Sequence, residues 1–242
     1  MEEQFIRLAL IYGEEALEKL RSSTVAVFGV GGVGGYTVEA LARCGIGALE
    51  LIDHDRVSES NLNRQILATH STIGKYKVDV AAERIRDISP SCRVTGHKTF
   101  FLPETKEQFD FSKYDYVVDA IDTVTGKMEI IRSAKAAGVP VISAMGAGNK
   151  VDASAFRVAD ISKTSGCHLA RIMRKLCREE GIRHVKVVYS LEESLPPRDI
   201  PGCQPDPNRR SLPGSTPFAV AAAGMLLAGE VVKDLVRDIS EI

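Results

Sequence analysis

The segment Thr24–Asp53, TVAVFGVGGVGGYTVEALARCGIGALELID, limits the possible fold more than any other stretch of the chain. A run of small and β-branched residues, Thr24–Phe28, leads directly into Gly29-Val30-Gly31-Gly32-Val33-Gly34. Apolar residues then follow at helical spacing, at Val38, Leu41, Ala42 and Cys44. The order reads strand, glycine turn, helix. Gly29 permits the tight turn, Gly31 lets backbone N–H groups approach a phosphate, and Gly34 lets the helix pack closely on the strand. A phosphate then sits at the positive end of the helix dipole. A second apolar run, Leu49–Ile52, ends at Asp53, where a carboxylate can accept ribose hydroxyls. The segment is a nucleotide site, and by itself the pattern fits a dinucleotide such as NAD.

Further along, strands and helices alternate. Lys75–Ile88 carries Val78, Ala81, Ala82, Ile85 and Ile88 at helical spacing, and Cys92–Thr99 reads as a strand. Pro103–Phe109 reads as a short helix and Tyr114–Asp122 as a buried strand ending in carboxylates. Thr123 is expected to cap a helix to Ala137 that stops at Gly138, before a strand over Val139–Ala144. This rhythm predicts an α/β, Rossmann-like, doubly wound and mainly parallel sheet. The second half departs from it, with β-rich runs at Ala153–Val158 and Val185–Leu191 flanking a helix near His168–Glu180. The proline-rich stretch Pro196–Pro217 is expected to be a mobile or substrate-ordered loop, with a final helix capped by Thr216 and opened by Pro217. One domain spanning 1–242 is expected, its nucleotide part covering about 20–150 and a substrate or dimer part about 151–242.

A formal net charge of -1 means that affinity for nucleic acid must come from a local patch. The five cysteines are odd in number and include no Cys-x-x-Cys pair, so neither a disulfide framework nor a structural zinc is expected. With no apolar leader at the start, the chain reads as cytoplasmic. Pro217–Gly229 is too short for a membrane span and reads as a core helix. The opening, Gln4–Leu20, reads as an apolar helix broken at Gly13, with one cation, Arg7, in its first part.

Arg64 and Lys77 add two cations near the phosphate end, and Asp122 places a carboxylate at the carboxyl edge of another strand. Taken singly, each has an ordinary explanation as a solvated charge or a helix-dipole contact. Together they suit a triphosphate with magnesium, whereas hydride transfer needs none of them.

Gly29-x-Gly31-Gly32-x-Gly34, Asp53-x-Asp55-x-Val57-x-x-Ser60-Asn61-Leu62-Asn63-Arg64-Gln65, Lys77 and Asp119-x-x-Asp122 together resemble the adenylating fold of the ThiF, MoeB and HesA group, relatives of ubiquitin-activating enzymes. The resemblance implies ATP and Mg2+ as ligands, held by Gly29, Gly31, Gly32, Gly34, Asp53, Asp55, Asn61, Arg64, Gln65, Lys77 and Asp122. Asp53 takes the ribose, Asn61, Arg64 and Lys77 the phosphates, and Asp122 the metal. It makes Arg7, Arg64, Lys77 and Asp122 the catalytic set, with Arg7 reaching the ATP of a second subunit in a homodimer. Within the group the chain looks most like the branch that modifies tRNA. There, ATP activates the carboxylate of threonylcarbamoyladenosine, and the ureido group displaces AMP to close a ring. The alternative is adenylation of the terminal glycine of a ubiquitin-like sulfur carrier; a sulfur-transfer partner of the cysteine-desulfurase kind is left open, and an NAD-dependent oxidoreductase is a third reading.

Arg171, Arg174, Lys175 and Arg178 recur at helical spacing and form a candidate phosphate-contacting stripe for tRNA, with Arg209 and Arg210 on the proline-rich loop as further candidates. Cys203 in that loop is a lone thiol with no predicted base beside it, which is more often incidental than nucleophilic.

Overall fold

The computed structural model describes residues 2–200 and 213–239. Two short helices, α1 (Ile6–Tyr12) and α2 (Glu14–Ser22), are separated by Gly13, whose φ of 85° is left-handed and costs glycine least. Strand β1 (Thr24–Phe28) then feeds α3 (Gly32–Arg43), and β2 (Ala48–Ile52), α4 (Lys77–Ile88), β3 (Arg93–His97) and β4 (Tyr116–Asp119) follow. Helix α5 (Val124–Ala136), β5 (Val141–Ala144), β6 (Phe156–Asp160), α6 (His168–Glu179), β7 (Lys186–Ser190) and α7 (Pro217–Leu235) complete the order.

The strands form one sheet in the order β3-β2-β1-β4-β5-β7-β6, parallel throughout except that β6 runs antiparallel to β7. The parallel part is the doubly wound arrangement expected from the alternation. From β1 the chain moves outward to β2 and β3, then crosses to the other side of β1 to lay down β4, so the topological switch point lies between β1 and β4. In register, Phe28 stands opposite both Ile52 and Asp119, which brings the carboxyl ends of β1, β2 and β4 level.

Packing explains why the glycine helix begins where it does. A side chain on Gly34 would meet the Gly29 carbonyl oxygen at 1.8 Å, so helix and strand can approach this closely only with hydrogen there. On its outer side α3 is crossed by α7. A Cβ on Gly224 would fall 2.5 Å from Val33 O, and Thr37 Oγ1 donates across the contact to Gly224 O (3.1 Å). On one side of the sheet Val27, Leu41, Leu49, Val118, Leu227 and Val231 join a continuous buried cluster. Each such side chain contributes about 1.5–3 kcal/mol by leaving water. A second cluster gathers Phe28, Phe101, Phe109 and Phe111, with the Phe28 and Phe111 rings stacked at 5.5 Å.

Several local expectations are corrected. Thr216 and Thr123 stand at the N-cap positions of α7 and α5, but neither side chain makes a capping bond. Thr216 donates instead to Lys150 O (3.0 Å). Thr123 Oγ1 is buried with no hydrogen-bond partner among the described residues, 2.9 Å from where a Cβ on Gly126 would lie. Ala153–Ala155 is a 3-10 turn bonded to the Asp152 side chain, and only Phe156–Asp160 is strand. Tyr114 and Asp115 precede β4 and Ala120–Asp122 follow it, so Asp122 lies on a turn beyond the strand. No helix among the described residues is long and apolar enough to cross a membrane.

Candidate nucleotide site

At the switch point the glycine turn sits between the ends of β2 and β4. Gly29 N donates to Ile52 O (2.8 Å), and Ala120 N donates to Phe28 O (2.8 Å). Gly29 has φ 88°, and a Cβ there would strike Ala120 O at 2.8 Å. Helix α3 starts at Gly32 with Gly31 as its N-cap, and no side chain caps it. The first amides of an α-helix have no partner within the helix, so this end presents backbone donors and the positive end of the dipole to the crevice.

Asp53 closes the turn from the β2 side. Its Oδ2 accepts Val30 N (2.8 Å) and its Oδ1 accepts Asp55 N (2.8 Å), so the carboxylate proposed to face ribose also fixes the glycine loop. Each oxygen keeps a second lone pair for a hydroxyl.

The Ser58–Gln65 segment is folded by its own polar side chains. Asn61, buried, accepts Ser58 N on Oδ1 (3.2 Å), leaving its NH2 as the group able to donate outward. Arg64 donates to Ser60 O (2.7 Å) and Asn63 Oδ1 (2.9 Å), both neutral oxygens, and burial pulls its pKa down from the usual arginine value. A half-buried guanidinium whose partners are neutral is suited to an incoming anion. Gln65 is buried, with Oε1 lacking any partner among the described residues; its Nε2 lies 3.7 Å from the Cβ position of Gly31. A rotation about the last torsion offers either the oxygen or the NH2 to a ligand beside Gly31. Asn63 Nδ2 donates to Ser215 O (3.0 Å), which ties this segment to the chain just before α7.

Lys77 is only 5% exposed and opens α4, where the helix dipole disfavours a cation. Asp55 compensates it, with Lys77 Nζ at 2.6 Å from Asp55 Oδ2. Asp122 is exposed on the turn after β4, beside Thr123 and its buried hydroxyl. Asp53, His54 and Asp55 also lie close enough to suggest a metal group. Their carboxylates, however, are engaged by backbone amides and by Lys77.

The remaining candidates separate. Arg7 is exposed, and its side chain makes no hydrogen bond or ion pair among the described residues. Phe5, two residues earlier, packs against Gly45 beyond the carboxyl end of α3, so the structure does not bring Arg7 to the glycine turn of its own chain. On α6, Arg171, Lys175 and Arg178 are exposed. Arg174 departs from the expected stripe: its Nη1 donates to Thr164 O (2.7 Å) and Thr164 Oγ1 (2.6 Å), so it braces the turn before α6. Arg209, Arg210 and Cys203 lie outside the described residues. Cys92 is buried, and its thiol is pushed up to about 11 by desolvation, away from reactivity.

Sequence reasoning passed over Lys127 and Ser143, which bind Asp119 beneath the crevice. A signal existed, since Lys127 falls in the first turn of a helix, where an uncompensated cation is unfavourable.

The chain belongs to the ThiF family, whose profile matches residues 2–241. The tRNA threonylcarbamoyladenosine dehydratase of Bacillus subtilis (strain 168) is 42% identical over 243 residues, covering 98% of this chain and 96% of the relative. That of Escherichia coli (strain K12) is 40% identical over 204 residues, covering 81% and 76%. The crystal structure of E. coli TcdA in complex with ATP matches with a TM-score of 0.87 at 34% identity, over 98% of this chain and 95% of that one.

Proposed function

We propose that this chain is an ATP-dependent tRNA-modifying enzyme that adenylates the carboxylate of threonylcarbamoyladenosine and cyclises it with loss of AMP. The carrying observation is near-complete coverage of the B. subtilis dehydratase at 42% identity, and the glycine turn with Asp53 at the level carboxyl ends of β1, β2 and β4 supports the same reading. The substrate carboxylate attacks the α-phosphorus, pyrophosphate leaves, and the ureido group then expels AMP. The amides at the start of α3, with Arg64 and Lys77, hold the triphosphate and stabilise the charge that builds on it. Asp53 orients the ribose, and Asn61 and Gln65 complete the pocket wall.

Asp122 is the group that would hold Mg2+. A single hard carboxylate at the crevice, supplemented by phosphate oxygens and water, is the donor set magnesium favours. The metal would neutralise phosphate charge there. Helix α1 buries none of its residues and exposes Leu10 (82%) and Ile11 (64%), which supports a homodimer in which Arg7 serves the neighbouring site. The chain works in the cytoplasm, and any sulfur-transfer partner would act alongside the ring closure without supplying a nucleophile to it.

The test is incubation of the full chain with ATP, Mg2+ and tRNA bearing threonylcarbamoyladenosine, followed by mass analysis of the nucleosides. The expected product is lighter by one water, with AMP and pyrophosphate formed. ATP–pyrophosphate exchange stimulated by a carrier protein ending in Gly-Gly, and not by tRNA, would overturn the proposal in favour of carrier activation.

A further inference from the structure

Asp119, Lys127 and Ser143 are each fully buried, directly behind the switch point. Asp119 ends β4 and faces Ser143 of β5 in register, while Lys127 reaches them from the first turn of α5. Lys127 Nζ lies 2.9 Å from Asp119 Oδ2 and 3.3 Å from Ser143 Oγ, and the Ser143 hydroxyl donates to the same Asp119 oxygen. The other oxygen, Oδ1, accepts Ile121 N (3.3 Å), the backbone amide immediately before Asp122.

An ion pair with no solvent contact is a poor stabiliser compared with well-packed apolar side chains, because desolvation offsets its attraction. Its geometry here serves the turn. At the rear, Asp119 holds Ile121 N; at the front, Ala120 O presses against Gly29 with no room for a Cβ. Ala120 and Ile121, the two residues leading into Asp122, are therefore held between a buried charge pair and the glycine loop. A freely rotating turn could not keep a carboxylate aimed at one point in the crevice.

We propose that Lys127 is a positioning residue of the nucleotide site: by pinning Asp119 it fixes the turn that aims Asp122 at the phosphates and their metal. The proposal rests on the reading of Asp122 as the magnesium carboxylate. Lys127 touches neither nucleotide nor metal; it acts through Asp119 and the Ile121 amide.

The experiment measures ATP affinity of the full-length protein by calorimetry, once with excess Mg2+ and once with EDTA, together with the melting temperature. The variants are Asp122→Asn, Lys127→Met/Asp119→Leu and Ser143→Ala. The double variant removes both charges, so no unpaired ion is left in the core. It is expected to lower the magnesium-dependent gain in ATP affinity about 10–100-fold, as loss of a partner orienting a metal-binding carboxylate does. Affinity in EDTA should stay at the wild-type value, because the glycine turn and Lys77 are untouched. Ser143→Ala deletes two hydrogen bonds, one donated to Asp119 and one accepted from Lys127, and no charge, and should shift the gain in the same direction by a smaller factor; this keeps the proposal testable if the double variant does not fold. Equal losses with and without metal would mark the triad as merely structural and overturn the proposal. So would an unchanged magnesium gain in a folded double variant. A gain that survives Asp122→Asn, or is absent from wild type, would instead refute the reading of Asp122 on which the proposal rests.

Discussion

Two groups of cations look alike in sequence and differ in structure: Arg64 with Lys77 at the carboxyl edge of the sheet, and the row Arg171, Arg174, Lys175 and Arg178 on α6. In the first pair Arg64 is half-buried and held by neutral oxygens, and Lys77 is buried against a half-exposed carboxylate. Burial makes such charges expensive unless an anion meets them: Lys77 already has one in Asp55, whereas Arg64, held by neutral oxygens, is suited to an incoming one. In the second group three residues are solvated and the fourth is an internal brace. Exposed charges tolerate almost any position, so helical spacing alone says little about what they meet.

The largest expected effect tests the frame around the first pair. Gly34→Ala puts a methyl group where Gly29 O already lies, and should destabilise the fold by about 4 kcal/mol or more, read as a shift in the urea midpoint. A wild-type midpoint would mean that helix and turn can separate and that the crevice is looser than described.

Next comes Lys77→Met, expected to lower kcat/KM for ATP–pyrophosphate exchange about 10²–10³-fold, the usual cost of losing one charge-stabilising donor. Lys175→Met serves as the contrast from the other group and should leave exchange alone. If both substitutions behave alike, the distinction drawn between the two groups fails.

Arg7 belongs to neither group, and its role is read by complementation. Mixing Arg7→Ala with Asp122→Ala subunits in equal amounts should restore about a quarter of wild-type activity, since half the dimers then carry one intact site. No recovery beyond either parent, with subunit exchange verified, would place Arg7 outside the neighbouring site.

Arg171→Ala/Arg178→Ala should flatten the salt dependence of tRNA binding by about one unit or slightly less per lost phosphate contact. Arg174→Ala should leave that slope parallel to wild type while lowering stability by about 1–3 kcal/mol, because Thr164 O loses its donor. A flattened slope with unchanged stability would return Arg174 to the stripe.

The smallest effect concerns how α3 is held. Burial alone raises the Glu39 pKa, but Arg84 and Arg43 outweigh it and leave the carboxyl below its ordinary 4.5. Its contribution is therefore fully present above that value and disappears as pH falls through the lower folded-state pKa. Glu39→Gln should narrow the stability gap to wild type across that acid window; a gap constant with pH would show that the ionised form contributes nothing.

The nucleotide half was legible because its constraints are local. The glycine spacing, the apolar run into Asp53 and the Asn61–Gln65 segment each prescribe a backbone shape within a few residues, and the parallel sheet follows from repeating strand and helix. Helix caps were misread at Thr123 and Thr216 because a hydroxyl chooses among partners that the neighbouring sequence does not contain, such as Lys150 O.

By itself, the sequence determined the strand–turn–helix unit, the carboxylates at strand ends and the absence of any Cys-x-x-Cys pair. Only the tertiary structure decided that Arg174 faces inward, that Lys127 meets Asp119 and Ser143 in the core, and that Arg7 sits away from its own glycine turn. The physical reason is separation along the chain. Thr164 lies one element away from Arg174 and Ser143 a whole helix from Lys127, so these contacts exist only after strands and helices have packed and fixed which polar atoms face one another.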